Sequence, residues 1–263
     1  MLYDAHNHLH DARLAPHREA IRSALAPLDV RGAVVNGTRE EDWEKVATLA
    51  RNESWVRPSF GLHPWYVTRR SPQWLGALQR QLDGNPEAAV GEIGLDRSIE
   101  GHDLDEQRPV FTTQLALAAE RNRAATIHCL QAWGALWDVL REQPVPARGF
   151  LLHAYGGPVE MIRGFVERGA YFSFSPSFLH PRKKAQREAF QQIREDRLLV
   201  ETDAPDLRPP DARNLHPLQG DSGEPLNHPA NLEVSYDGLA EVRGVDRGEL
   251  EPIVARNYAR LFL

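Results

Sequence analysis

Short apolar, β-branched stretches recur along the chain, separated by segments in which apolar residues return with a helical period. The stretches predict strands at Leu2–Ala5, Gly32–Gly37, Val56–Gly61, Ala88–Leu95, Ala124–Leu130, Arg148–Ala154, Ala170–Ser175 and Leu198–Thr202. Successive starts fall about 20 to 35 residues apart, the length of a strand, a helix and two loops. Between them, Asp42–Ala50 places Trp43, Val46, Leu49 and Ala50 on one helical face, and Val110–Arg121 continues that period through Phe111, Leu115, Leu117 and Ala118. Pro158 opens a segment whose Val159, Ile162, Phe165 and Val166 share a face, and a first turn tolerates proline because its N–H has no partner there. Pro181–Arg194 is strongly charged and predicts an outer helix with a wide solvated face.

Strands and helices in alternation favour a parallel sheet, and eight βα units predict a closed TIM-type (β/α)8 barrel, one domain over residues 1–263. An open doubly wound sheet would announce itself by a Gly-rich phosphate-binding turn after the first strand. His6-Asn7-His8-Leu9-His10 offers none. Pro205–Pro229, rich in Pro, Asp and Asn, follows the eighth strand directly and reads as a long loop on the active face.

Composition narrows the partners. The chain is 41% apolar and 26% charged, which excludes wholesale disorder. No run approaches the roughly 18 apolar residues of a membrane span. Met1–His6 shows no basic region followed by an apolar stretch, so no secretory leader is expected. The single cysteine, Cys129, excludes an intrachain disulfide and fits a reducing cytoplasm, the expected location. A net charge of −6 rules out a basic coat for nucleic acid, so any phosphate binding must be local, through metal ions or a small cationic patch. Lysine is confined to Lys45, Lys183 and Lys184.

The chemistry-bearing residues fall at the C-terminal ends of predicted strands, where barrel enzymes build their sites. His6 and His8 are two apart, so an extended chain turns both imidazoles to one face. Glu92 interrupts an apolar strand, His128 and His153 end the fifth and sixth strands, and Asp203 closes the eighth. Each alone could be a satisfied polar residue. Together they would be costly to crowd into one barrel mouth without compensating cations. Four histidines and two carboxylates exceed the ligands of one zinc and suit two divalent ions, roughly 3.5–4 Å apart, sharing a carboxylate. No lysine lies at a strand end to bridge them in carboxylated form, which leaves Glu92 as the bridge.

Several motifs together resemble those of the TatD-like metal-dependent DNase family. They are Asp4-Ala5-His6-Asn7-His8, Gly61-Leu62-His63-Pro64-Trp65, Gly91-Glu92-Ile93-Gly94-Leu95-Asp96, Ile127-His128-Cys129, Glu201-Thr202-Asp203-Ala204-Pro205 and Asn257-Tyr258-Ala259-Arg260-Leu261-Phe262. They occur in order over nearly the whole chain. The resemblance implies a barrel of the metal-dependent hydrolase superfamily and hydrolysis of ester bonds, most often in DNA. By position, it implies one metal on His6, His8, Glu92 and Asp203 and a second on Glu92, His128 and His153. The chain departs from the family pattern at Leu130, at Arg97 and at Ala154-Tyr155-Gly156-Gly157, positions that the resemblance implies lie behind the ligands or toward substrate rather than on the metal.

The expected enzyme is therefore a deoxyribonuclease with two divalent ions (zinc, manganese or magnesium), cleaving phosphodiesters of single strands or ends, with 3′–5′ exonuclease action as one form of it. It is expected to be monomeric, with no membrane partner. Asp203 is expected to accept the proton of the attacking water, with Glu92 as the other catalytic carboxylate. His63 and Arg97 are the expected substrate contacts, with Arg182-Lys183-Lys184, Arg208 and Arg213 as further sources of positive charge. Cys129, adjacent to His128 and so on the opposite side of its strand, reads as buried filler. Trp133 and Trp137 read as core, with base stacking by Trp133 as the alternative. His10, His17, His102, His180, His216 and His228 are expected at the solvated surface. An amidohydrolase-like deacylase or lactonase acting on a small carbonyl substrate would use the same two-ion site.

Overall fold

The structure, a computed structural model, describes residues 1–101 and 103–263. His102 therefore lies outside the described residues. One sheet runs in chain order through β1 (Leu2–Asn7), β2 (Val30–Gly37), β3 (Val56–Phe60), β4 (Ala89–Asp96), β5 (Ala125–Leu130), β6 (Phe150–Leu152), β7 (Ala170–Phe174) and β8 (Leu198–Val200). All neighbouring pairs are parallel. The two ends of the sheet meet just beyond the strands, where Asp203 N–H donates to His6 O at 2.9 Å and His8 N–H to Ala204 O at 2.8 Å. That closes the expected TIM-type barrel at its C-terminal mouth.

Among the described residues, seven α-helices return the chain between strands: α1 (Arg18–Leu25), α2 (Glu40–Asn52), α3 (Trp74–Gly84), α4 (Leu104–Glu120), α5 (Trp133–Glu142), α6 (Ile162–Glu167) and α7 (Lys184–Gln192). Two more, α8 (Leu232–Arg243) and α9 (Arg247–Phe262), follow the last strand, and α9 packs on β8 and β1, covering the seam. With helices outside and side chains filling the interior, strands such as β4 are buried along their whole length, which is why they read as continuous apolar runs. The close approach of β4 and β5 needs Gly94: its φ is +147°, and a Cβ there would stand 1.9 Å from His128 O.

Element bounds differ from the sequence reading in places with clear causes. Strand β1 extends past Ala5 to Asn7 and carries His6 within it. Helix α4 starts at Leu104 rather than Val110, because Asp103 caps it by accepting from Asp105 N and Glu106 N, upstream of the apolar period. The charged Pro181–Arg194 segment is a 3-10 turn followed by α7, which ends at Gln192. The loop over 205–229 is not irregular throughout: it contains a hairpin, β9 (Pro217–Gln219) with β10 (Pro225–Asn227). Asn227 ties that hairpin to the end of β8, its N–H donating to Pro205 O and its side-chain amide to Thr202 O, both at 2.8 Å.

Candidate metal centre

The mouth gathers all six residues that strand-end position singled out. His6 and His8 project together, and both Nε2 atoms lie 3.3 Å from Asp203 Oδ1 and 3.5 Å from Glu92 Oε2. The other oxygen of the same carboxylate, Glu92 Oε1, lies 2.9 Å from His153 Nε2, 3.1 Å from His128 Nδ1 and 3.3 Å from His63 Nε2. Glu92 is thus two-sided, with one oxygen toward each of two nests of imidazole nitrogen. Asp203 reaches its nest from a left-handed backbone (φ 55°), which aspartate tolerates better than most residues. All of these side chains are buried or nearly so.

The partners behind the rings decide which nitrogen carries a proton. His8 Nδ1 lies 2.8 Å from Asn36 O, an acceptor, so in the neutral ring Nδ1 is the donor and the lone pair of Nε2 faces Glu92 and Asp203. His128 Nε2 lies 2.9 Å from Asp96 Oδ2, which leaves Nδ1 free toward Glu92. His153 Nδ1 faces Glu201 Oε1 at 3.6 Å, and Glu201 in turn accepts a hydrogen bond from the Ser173 hydroxyl. Each of these rings is backed by a carbonyl or carboxylate and turns its other nitrogen inward, the arrangement that orients a histidine toward a metal. His63 is the reverse. Its Nδ1 accepts from Trp65 N–H at 3.2 Å, so the neutral ring carries its proton on Nε2 and offers a donor, not a lone pair.

The residues present fit divalent cations. His6 Nε2 is buried with no hydrogen-bond partner among the described residues, its Nδ1 lies 3.2 Å from the Asn36 side-chain amide, whose unpartnered oxygen would accept from it with the amide turned over, and the donor set of imidazole and carboxylate suits zinc or manganese. Ligand atoms of His6, His8 and Asp203 cluster within reach of one ion, as do those of Glu92 and His128 beside His63, whose Nε2 proton takes that ring out of the set. Burial opposes charge on every group here, and the neighbours overrule it. Histidines around Glu92 hold its carboxyl well below the usual range, and His6 and His8 do the same for Asp203. Hydrogen bonding to Asp203 and the charge of Glu92 raise His8 to about 10, and Glu92 with Glu201 raises His153. His63 goes the other way: burial holds it down at about 4, so it is neutral at physiological pH.

A cleft of about 600 Å³ opens over the centre. Its walls include His10, Arg13, Arg39, Lys45, Trp65, Leu130 and Lys183. Arg97 is exposed and does not line this cleft, and neither do Arg182, Lys184, Arg208 or Arg213. Arg208 pairs with Asp211, and Arg213 pairs with Glu241 at 2.9 Å. Trp133 packs edge-on against Tyr155, and Trp137 against Phe165, so both serve the core rather than the cleft. Cys129 is buried, as expected of filler, and burial pushes its thiol up.

Two histidines expected at the surface are buried instead. His10 lies under the cleft wall, with Nε2 3.6 Å from Asp42 Oδ2, and His228 stacks on His216 with ring centroids 5.4 Å apart. His17, His180 and His216 are half-buried. The partners Asp96, Glu201 and Asn36 were not singled out from sequence. The signal for two of them was an acid on the same strand as a carboxylate already flagged, Asp96 after Glu92 and Glu201 before Asp203.

Comparison with known proteins identifies the family. Residues 3–263 match the model of the family described as TatD related DNase. An uncharacterized metal-dependent hydrolase, YabD, from Bacillus subtilis is 27% identical over 262 residues, covering 100% of this chain and 99% of the relative. A protein named 3'-5' ssDNA/RNA exonuclease TatD, from Erwinia tasmaniensis, is 28% identical over 263 residues, covering 99% of each. Among solved structures, the TatD homolog YJJV from Escherichia coli superimposes with a TM-score of 0.89 at 25% identity, over 99% of this chain and 97% of that one.

Proposed function

The chain belongs to the TatD related DNase family, and on that footing we propose that it hydrolyses phosphodiester bonds of single-stranded DNA, releasing nucleotides from the 3′ end, with two divalent cations at the barrel mouth. The observation that carries this reading is the two-sided Glu92: each oxygen faces its own set of imidazoles, and two of those rings, His8 and His128, have their outer nitrogen engaged by an acceptor so that the other points inward. Relatives named as 3'-5' ssDNA/RNA exonucleases support the choice of substrate.

His6, His8, Glu92 and Asp203 would hold one cation, and Glu92, His128 and His153 the other. Bound there, zinc, manganese or magnesium supplies hydroxide near neutral pH and neutralises charge developing on the phosphoryl oxygens. Asp203 accepts the proton of the attacking water. It is ionised throughout the physiological range, and with Oδ1 engaged by His6 and His8 its second oxygen remains for that proton. His63, neutral and protonated on Nε2, donates to a non-bridging oxygen of the substrate phosphate. Glu92 stays ionised and keeps the two nests in fixed relation.

The test is release of nucleotides from labelled single-stranded DNA by protein loaded with each metal in turn, beside a panel of esters, lactones and amides. DNA turnover should be lost in Asp203→Asn while the fold is retained. Full activity of that variant with a normal metal complement would remove Asp203 from its role. Turnover of carbonyl substrates with none on DNA would replace the nuclease by a deacylase or lactonase on the same centre.

A further inference from the structure

Trp65 is 49% exposed, yet its ring is fixed. The indole N–H donates to Asp96 Oδ2 at 2.7 Å, and the ring stands against His63 with centroids 5.1 Å apart and planes at 88°. His63 in turn lies 3.3 Å from Glu92, so one imidazole separates the indole from the centre. Leu130, 43% exposed, joins it: it is the β5 register partner of Asp96, the residue that holds the indole N–H. Both line the cleft, and Trp65 takes no part in the hydrophobic core. Leaving a large aromatic in water is unfavourable, and here its polar edge is already satisfied by Asp96, so the exposed part is apolar face.

We propose that Trp65 is a nucleobase platform, on which the base of the nucleotide whose phosphate reaches His63 stacks, with Leu130 at its rim. The proposal rests on the nuclease reading above and names the part of the substrate that this wall takes. The rest of the cleft favours a polyanion. Lys45 and Lys183, two of the three lysines in the chain, line it and form no ion pair among the described residues, so they are free to meet neighbouring phosphates. Stacking on an indole reads no hydrogen-bond pattern, so the subsite is indifferent to base identity but requires a base free of its own helix. It therefore selects single strands and frayed ends.

The experiment measures binding of a short oligothymidylate, its linkages replaced by phosphorothioate to suppress turnover, against a strand of the same length and linkage that is abasic throughout. Metal-loaded wild type, Trp65→Leu and Trp65→Phe are compared, with metal content measured for each. Wild type should bind the base-bearing strand about 10-fold more tightly than the abasic one. Trp65→Leu should lose that difference and Trp65→Phe should keep most of it, because phenylalanine retains a stacking face without the N–H to Asp96. Equal binding of both strands by wild type, undiminished discrimination in Trp65→Leu, or a Trp65→Phe variant as impaired as Trp65→Leu would each overturn the platform. Discrimination without nucleotide release from ordinary DNA would sink the nuclease reading alone, and release without discrimination would sink the platform alone.

Discussion

Thr202 donates its hydroxyl to Asp4 Oδ2 at 2.6 Å and its backbone N–H to Asp4 Oδ1 at 3.0 Å, joining the first strand of the barrel to the end of the last. Asp4 is fully buried there, and burial pushes its carboxyl up to about 7 despite these bonds. Replacing the hydroxyl by a methyl, Thr202→Val, leaves a buried carboxylate oxygen short of a donor. The expected cost is about 1–3 kcal/mol. It should appear as a lower urea midpoint at unchanged slope, with Thr202→Ser restoring most of the loss.

Gly94→Ala places a methyl against His128 O at 1.9 Å, in a backbone conformation (φ +147°) that alanine does not adopt willingly. Backbone atoms cannot rotate out of the way as a side chain can. The variant should lose at least about 2 kcal/mol of stability. Because the displaced carbonyl belongs to His128, metal content should fall with it, which thermal unfolding and elemental analysis of one preparation would show together.

Asp96→Asn tests the partner behind His128. The carboxylate accepts from His128 Nε2 at 2.9 Å on one oxygen and from Ser98 N and Oγ, both at 2.6 Å, on the other. An amide cannot accept at both positions. Metal affinity should drop about 10- to 100-fold in a chelator competition titration. Glu201→Gln should cost less, since Glu201 stands farther from its ring at 3.6 Å. Equal affinity of Asp96→Asn and wild type would mean that His128 needs no such support.

His228 gives the protein an acid-side weakness. Burial, and then the charges of His216 and His17, hold its imidazole down at about 4, against an ordinary 6.5. As pH falls, the unfolded chain takes up this proton before the folded one does. The stability gained by keeping the ring neutral is therefore complete above 6.5 and is lost as pH drops through about 4. His228→Asn keeps an acceptor for Ala230 N–H, which the histidine Nδ1 meets at 2.9 Å, and removes the titration. Urea midpoints between about pH 7.5 and about pH 5 should fall less steeply in the variant than in wild type.

The barrel was legible because its strands are buried throughout and its helices are amphipathic, so period and burial agree locally. The grouping was legible for a related reason: in this architecture position along a strand fixes spatial position, and His6, His8, His128, His153 and Asp203 lie at or just past strand ends, while Glu92 stands out as a carboxylate inside the apolar β4. What sequence could not show is which nitrogen of each ring faces inward. That depends on Asp96, Glu201 and Asn36, whose partners lie on other strands and which no spacing rule connects to them. Burial of His10 and His228 is likewise tertiary, set by Asp42 and by a hairpin that the Pro-rich composition of 205–229 concealed. Arg97 failed as a cleft residue for a local reason: its N–H continues the β4–β5 pairing to Leu130 O at 2.9 Å, and its side chain remains exposed outside the cleft.

The seam at the mouth ties the backbone of His6 to Asp203 and that of His8 to Ala204, so the stitches that shut the cylinder also carry the groups facing Glu92. A nascent or clipped polypeptide that stops short of Asp203 lacks both the stitch and one wall of the first nest. The closing stitch and the first nest are therefore gained or lost together.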